Sequence, residues 1–115
     1  MLLEIKIIIK NLKGEIIMKI AVTYENGNIF QHFGHTKQFK IYETDNKKII
    51  NSEIIGTDGY GHGALAGFLS SKKVDILICG GIGEGAKTAL RNSGIRLLGG
   101  VQGSADRAVE EFLAG

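Results

Sequence analysis

Apolar runs alternate with glycine-rich gaps along most of the chain, and the spacing of each run predicts an element. Lys19-Ile20-Ala21-Val22-Thr23-Tyr24 is a short apolar run ended by Glu25-Asn26-Gly27, a buried strand followed by a turn. Phe39-Lys40-Ile41-Tyr42-Glu43 alternates at period two, and Asp45-Asn46 supplies turn chemistry before a returning strand from Lys48 to Ile55. Gly63 to Ser71 has helical spacing, with Leu65, Phe68 and Leu69 on one face. Val74 to Cys79 is almost wholly apolar, as expected of a strand covered on both faces. Gly83 to Asn92 suits a helix with Gly94 as its stop signal, and Ile95 to Leu98 a final short strand. Ser104 is placed to cap a last helix carrying Ala108, Val109, Phe112 and Leu113 at helical spacing.

The predicted order is β-β-β-α-β-α-β-α. A meander of three strands followed by crossovers gives a mixed five-stranded sheet with helices on both faces. This is an α/β three-layer sandwich of the ribonuclease H-like kind. In it the first, third, fourth and fifth strands run the same way and the second runs against them. The loops leaving those four strands, at 25–37, 56–62, 80–85 and 99–103, therefore emerge on one edge. With Gly63 they hold 13 of the 17 glycines and all three histidines. Ligands of open α/β sheets bind outside the carboxyl ends of the strands, so the chemistry is expected at that edge.

Length and composition narrow the classes. With 115 residues the chain makes one domain and is too short for two. An apolar share of 43% with 23% charged residues is globular, and a net charge of +2 gives no electrostatic footprint for nucleic acid. A single cysteine, Cys79, excludes an internal disulfide framework and fits a reducing, cytoplasmic setting.

The first seventeen residues differ from the rest. They are apolar, but Lys6 and Lys10 interrupt the run and no small-residue cleavage site follows. They resemble neither a signal peptide nor a membrane span. Lys13-Gly14-Glu15 can be encoded by codons containing AGGAG, a bacterial ribosome-binding sequence, with Ile16 and Ile17 as spacer before Met18. Residues 1–17 are therefore expected to be a translated leader, and residues 18–115 the domain. A strand from Leu3 to Ile9 is the alternative.

Two loops carry candidate chemistry. Gln31-His32-Phe33-Gly34-His35 sets two imidazoles three apart, suited to a metal centre or a polar anchor. The plainer alternative has Phe33 plugging the core while the histidines are solvated. His62, expected at the same edge, favours a site. The spacings of structural zinc are absent, so few ligands among much glycine point to an open site for a large, preassembled ligand. Cys79-Gly80-Gly81-Ile82-Gly83-Glu84-Gly85-Ala86 joins a buried strand to a helix, where backbone can approach a ligand closely and helical N–H groups face an anion. The loose dinucleotide fingerprint in this segment lies in the wrong βα unit and lacks the acidic residue that should end the next strand. Cys79 itself suits a small buried hydrophobe. Nuclease chemistry is also disfavoured, because the first strand offers no carboxylate to a two-metal centre and Asp75 and Glu84 suit structural roles.

Together, Met18-Lys19-Ile20-Ala21-Val22, His32-Phe33-Gly34, Gly61-His62-Gly63, Val74 through Gly83 and Gly94-Ile95 resemble the dinitrogenase iron–molybdenum cofactor biosynthesis family. The resemblance covers residues 18–115. It implies a small domain that binds or carries metal–sulfur clusters, of the Mo/Fe–S or Mo/Cu–S type, as cargo and without turnover of its own. It implies His32 as the metal ligand; the reading of the loops adds Phe33, Gly34, His35, His62, Gly80, Gly81 and Gly83 as the expected cofactor-binding surface, with His35 outside the matching motif. Lys37 is a candidate for neutralising an anionic ligand. The partners implied are cluster donor and acceptor proteins, with neither nucleic acid nor membrane. A non-catalytic regulatory module for a small anion or partner protein is the alternative, and a metallohydrolase the more distant one.

Overall fold

A computed structural model describes residues 17–58, 60 and 62–115. Ile17 is already the first residue of a strand, while the rest of the leader expected over 1–17 lies outside the described residues. The elements are β1 (Ile17–Glu25), β2 (Asn28–Ile29), β3 (Gln38–Asp45), β4 (Lys48–Gly56), α1 (Leu65–Ser71), β5 (Ile76–Ile78), α2 (Glu84–Asn92), β6 (Arg96–Leu98) and α3 (Ala105–Ala114). The sheet has the order β4-β3-β1-β5-β6, with β2 folded back on β1. β3 is antiparallel to β1 and β4, and β5 is parallel to β1 and β6. The mixed α/β sandwich is the predicted one, with β1, β4, β5 and β6 running the same way.

Among the described residues the added strand is β2. It pairs Tyr24 with Ile29 and Glu25 with Asn28 around Asn26-Gly27, whose φ values are 49° and 87°. Two consecutive positive φ angles match the right-handed twist of a tight hairpin, and Asn-Gly tolerates them better than other pairs. The turn was expected; the two-residue return strand was too short for a periodic signal.

Alternation along the strands builds the two faces. Ala21, Phe39, Ile41 and Leu77 pack beneath α1 and α2 with Leu65, Leu69 and Leu90. Ile20, Val22, Tyr42, Ile76 and Ile78 pack on the other face against Ala105, Val109 and Leu113 of α3. β5 is buried throughout because both faces are covered. Ser104 caps α3, its hydroxyl accepting from the Arg107 N–H at 3.2 Å.

A polar clasp fixes the start of α3 to the sheet. The Tyr42 hydroxyl and the Lys40 ammonium both donate to Asp106 Oδ1, at 2.6 and 2.8 Å. The Lys40 and Tyr42 hydrogen bonds hold the Asp106 carboxyl below its ordinary value, whereas burial, then the Asp106 bond, push the Tyr42 hydroxyl up. Asp75, buried at the opposite end of the sheet from the predicted site, accepts from the Lys19 N–H at 2.9 Å and so joins β1 to the start of β5. Among the described residues no helix is long and apolar enough to cross a membrane.

Candidate functional site

The loops leaving β1 and β5 are stitched together by main chain. The Gly81 N–H donates to the Gln31 carbonyl at 2.7 Å, and the Phe33 N–H donates to the Gly81 carbonyl at 3.1 Å. These bonds make a one-residue parallel bridge between His32 and Gly81. Immediately afterwards the chain tightens into a 3-10 turn, Phe33–His35, closed by the His35 N–H donating to His32 carbonyl at 2.9 Å. Residues three apart eclipse one another in such a turn, so His32 and His35 share a side. Phe33 points inward instead. It is 2% exposed and lies 6.4 Å, ring to ring, from Phe39.

The second loop is tied on through two buried threonines. Thr36 Oγ1 donates to the Phe33 carbonyl at 2.6 Å, and Thr57 Oγ1 donates to the Thr36 carbonyl at 3.1 Å. The Phe33 carbonyl, which also accepts from the Thr36 N–H at 3.1 Å, thus takes two bonds from one residue, and the Thr57 hydroxyl ties the next loop to the same turn. The turn His62–Ala64 then packs beside the Phe33–His35 turn.

These loops surround a cavity of about 570 Å³. His32, Phe33, Gly34 and His35 form one wall; Gly81, Ile82, Gly83, Gly85, Ala86 and Ala89 form another; Gly63 and Ala66 close it. Apart from the two imidazoles, no side chain lining it among the described residues is an acid or a base. Its body is therefore apolar and backbone-lined, with nitrogen ligands on one wall. His32 and His35 are both exposed, and the His32 ring stands edge-on to Phe30 at 6.0 Å. Gly83 is the N-cap of α2 and supplies no side chain to its first N–H groups, so that end of the helix favours an electron-rich ligand. Among the described residues no three His, Cys, Asp or Glu side chains come together as a metal-ion site.

The sequence-predicted residues divide in three. His32, Phe33, Gly34, His35, Gly81 and Gly83 line the cavity. For His62 the backbone position is described, at the start of the turn whose Gly63 lines the cavity, and the side chain is not. Gly80 is elsewhere. It is buried beneath Gln31, and a Cβ there would fall 2.5 Å from Gln31 Oε1. Its lack of a side chain serves packing between loops and does not open the cavity. Lys37 lies outside the cavity too, in a groove with Tyr24, Glu25, Phe30, His35 and Gln38. Cys79 is fully buried in the core, and burial, partly offset by Lys87, pushes its thiol up to about 11. Glu84 is exposed and pairs with Lys87 at 3.1 Å.

Sequence reasoning missed the wall made by Ala66, Ile82, Ala86 and Ala89. The signal was present in Ala86 and Ala89, small residues three apart on the α2 face beside the glycine turn, where bulk would have filled the space. Gln31, beside the histidine pair in sequence, carries no signal of its own there.

Comparison with known proteins gives the family and the shared fold. The family described as dinitrogenase iron-molybdenum cofactor matches residues 17–115. The FeMo cofactor biosynthesis protein NifB of Sinorhizobium fredii is 34% identical over 96 residues, covering 75% of this chain and 19% of that protein. The chain thus spans about a fifth of that relative's length. Among solved structures, the crystal structure of PH0822 superposes with a TM-score of 0.81 at 26% identity, covering 85% of this chain and 90% of that one. The apo form of the orange protein from Desulfovibrio gigas gives 0.74 at 26% identity, covering 85% and 88%. Since the match runs from the first residue of β1 to the last residue of the chain, this protein belongs to the dinitrogenase iron-molybdenum cofactor family.

Proposed function

We propose that this domain binds a metal–sulfur cluster in the cavity between the His32–His35 turn and α2 and carries it as cargo between donor and acceptor proteins. The observation that carries this reading is the pairing of two imidazoles with an apolar cavity of about 570 Å³ that, among the described residues, is lined by no carboxylate, lysine or arginine. A hydrated ion or a sugar needs a dense set of polar partners, which these walls lack. A sulfide-bridged cluster is large, polarisable and anionic. It is served by a nitrogen ligand, apolar walls and the N-terminal end of a helix. Few protein ligands also make sense for cargo, because a closed set of thiolates would hold the cluster against transfer. In this reading the domain has no turnover of its own, His32 is the ligand to metal, and His35 and His62 are secondary contacts.

The test is anaerobic titration of the purified protein with a molybdenum–iron–sulfur or molybdenum–copper–sulfur cluster donor, followed by visible absorption and metal analysis. His32→Ala is expected to lose most of the bound metal while remaining folded, since an exposed loop imidazole carries little of the core. His35→Ala and His62→Ala are expected to lose less. Full retention by a folded His32→Ala protein refutes His32 as the ligand, and uptake of simple anions without cluster by the parent refutes the carrier reading.

A further inference from the structure

We infer that Gln31 is the positioning residue of this site, holding the His32–His35 turn in place through a three-loop latch; the inference rests on the proposed role of His32. Gln31 does not line the cavity. Its amide nitrogen donates twice, to the Ile29 carbonyl at 3.1 Å and to the Val101 carbonyl at 3.1 Å. Its own carbonyl accepts from the Gly81 N–H at 2.7 Å, the shortest main-chain bond of the bridge that places His32. One residue therefore touches the loop before His32, the glycine turn after β5 and the loop after β6.

The third of these loops is anchored independently. The Gly100 N–H donates to the Gly80 carbonyl at 2.9 Å, and the Val101 N–H donates to the Cys79 carbonyl at 3.0 Å. The Val101 carbonyl is thus a fixed post, and the Gln31 amide clips the loop after β1 to it. Gly80 completes the latch from below. With the Gly80 Cα bare, the Gln31 side chain lies directly over it, at a distance where any Cβ would collide with Oε1, Cδ and the Gln31 Cα. Such an arrangement requires an amide. A carboxylate of the same shape would set negative charge against two carbonyl oxygens, and a thioether would leave both without this donor. No wall of the cavity needs Gln31 for bulk, so its contribution is to the position of the His32 backbone and hence of the imidazole.

The experiment uses the full chain with Gln31→Glu and, as an uncharged variant, Gln31→Met. Amide hydrogen exchange is read by NMR at Gly81 and Phe33, whose N–H groups form the bridge, and at Ile20 and Ile76 in the sheet as reference. Cluster retention is measured in the same anaerobic titration. Losing the amide donor of a half-buried latch is expected to speed exchange at Gly81 and Phe33 by about tenfold or more, with the sheet amides little changed. Cluster retention should fall towards that of His32→Ala. Unchanged exchange at Gly81 and Phe33 in both variants overturns the latch. Faster exchange with full cluster retention, in a protein whose His32→Ala variant does lose cluster, overturns the positioning role. A parent that takes up no cluster refutes the carrier reading instead, and the exchange rates then judge the latch alone.

Discussion

Substituting Gly80 by alanine tests the architecture beneath the site. The new Cβ would lie 2.5 Å from Gln31 Oε1, 2.6 Å from Cδ and 2.7 Å from Cα. The first two atoms belong to a flexible side chain and can swing away, at the cost of the bonds to Ile29 and Val101, about 1 kcal/mol each. The third is backbone, already held by the Gln31–Gly81 bond, and moving it resembles overpacking a core, about 1–3 kcal/mol. Reduced freedom of the unfolded chain returns about 0.4–1 kcal/mol for a glycine-to-alanine change. The net expectation is a loss of about 3 kcal/mol, or about 10–20 °C in Tm for a domain of this size. Gly83→Ala is the control, because nothing lies within 4 Å of a Cβ there; it should stay within about 1 kcal/mol of the parent. Chemical denaturation of the parent, both single variants, Gln31→Ala and Gly80→Ala/Gln31→Ala completes the comparison. In the Gln31→Ala background, Gly80→Ala should cost about 1–2 kcal/mol less, because only the backbone collision remains. If Gly80→Ala is as stable as Gly83→Ala, the close approach of Gln31 to Gly80 is not a feature of the folded protein.

Three further outcomes follow from other parts of the fold. Ser104→Ala removes the cap of α3 and should lower stability by about 1 kcal/mol in denaturant melts, with Ser104→Asp near neutral. The Asp106 carboxyl titrates lower in the folded protein, so its clasp stabilises fully above the ordinary value of 3.8 and is lost as pH falls through the depressed one. Acid unfolding followed by circular dichroism should therefore lose part of its steepness below that pH in Asp106→Asn, and an unchanged acid limb would remove the clasp from the explanation. Cys79, with its thiol raised to about 11 and no solvent exposure, should resist iodoacetamide at pH 8 in the folded protein and react promptly once unfolded.

The fold was legible because its signals are local and repeated. Val74 to Cys79 is apolar almost throughout, as a doubly covered strand requires, and the alternation of Phe39, Ile41 and Glu43 against Lys40 and Tyr42 separates the two faces. The shared direction of four strands then placed the histidine loop and the glycine turn on one edge, which needs only topology. What did not show was pairwise fit. Gly80 and Gly81 look alike in sequence, yet one is buried under Gln31 and the other lines the cavity, because strand twist and loop pairing decide which Cα faces which space. Gln31 looked like one more polar loop residue because its partners, Ile29 and Val101, are main-chain carbonyls, and a carbonyl leaves no trace in a sequence.

That division of labour bears on how an open site can be both defined and yielding. The sheet and the helices on it fix the ends of four loops through two apolar layers, one on each face, so the edge is firmly held. Between those ends, the His32 turn is held by a few hydrogen bonds, from Gly81, Gln31, Thr36 and Thr57, and by Phe33 inserted among Phe39 and its neighbours. Each bond contributes about 1 kcal/mol, enough together to set the imidazole and few enough to open locally without unfolding the domain. Phe33 is the exception. Removing it would take a ring out of a packed core at about 3–5 kcal/mol, so it ties the turn to global stability. The two histidines flank that anchor on the same side, one at each end of the turn. A ligand that pulls on His32 therefore strains the latch before it strains the core, and a site that takes up and gives back a large cargo needs its compliance in that order.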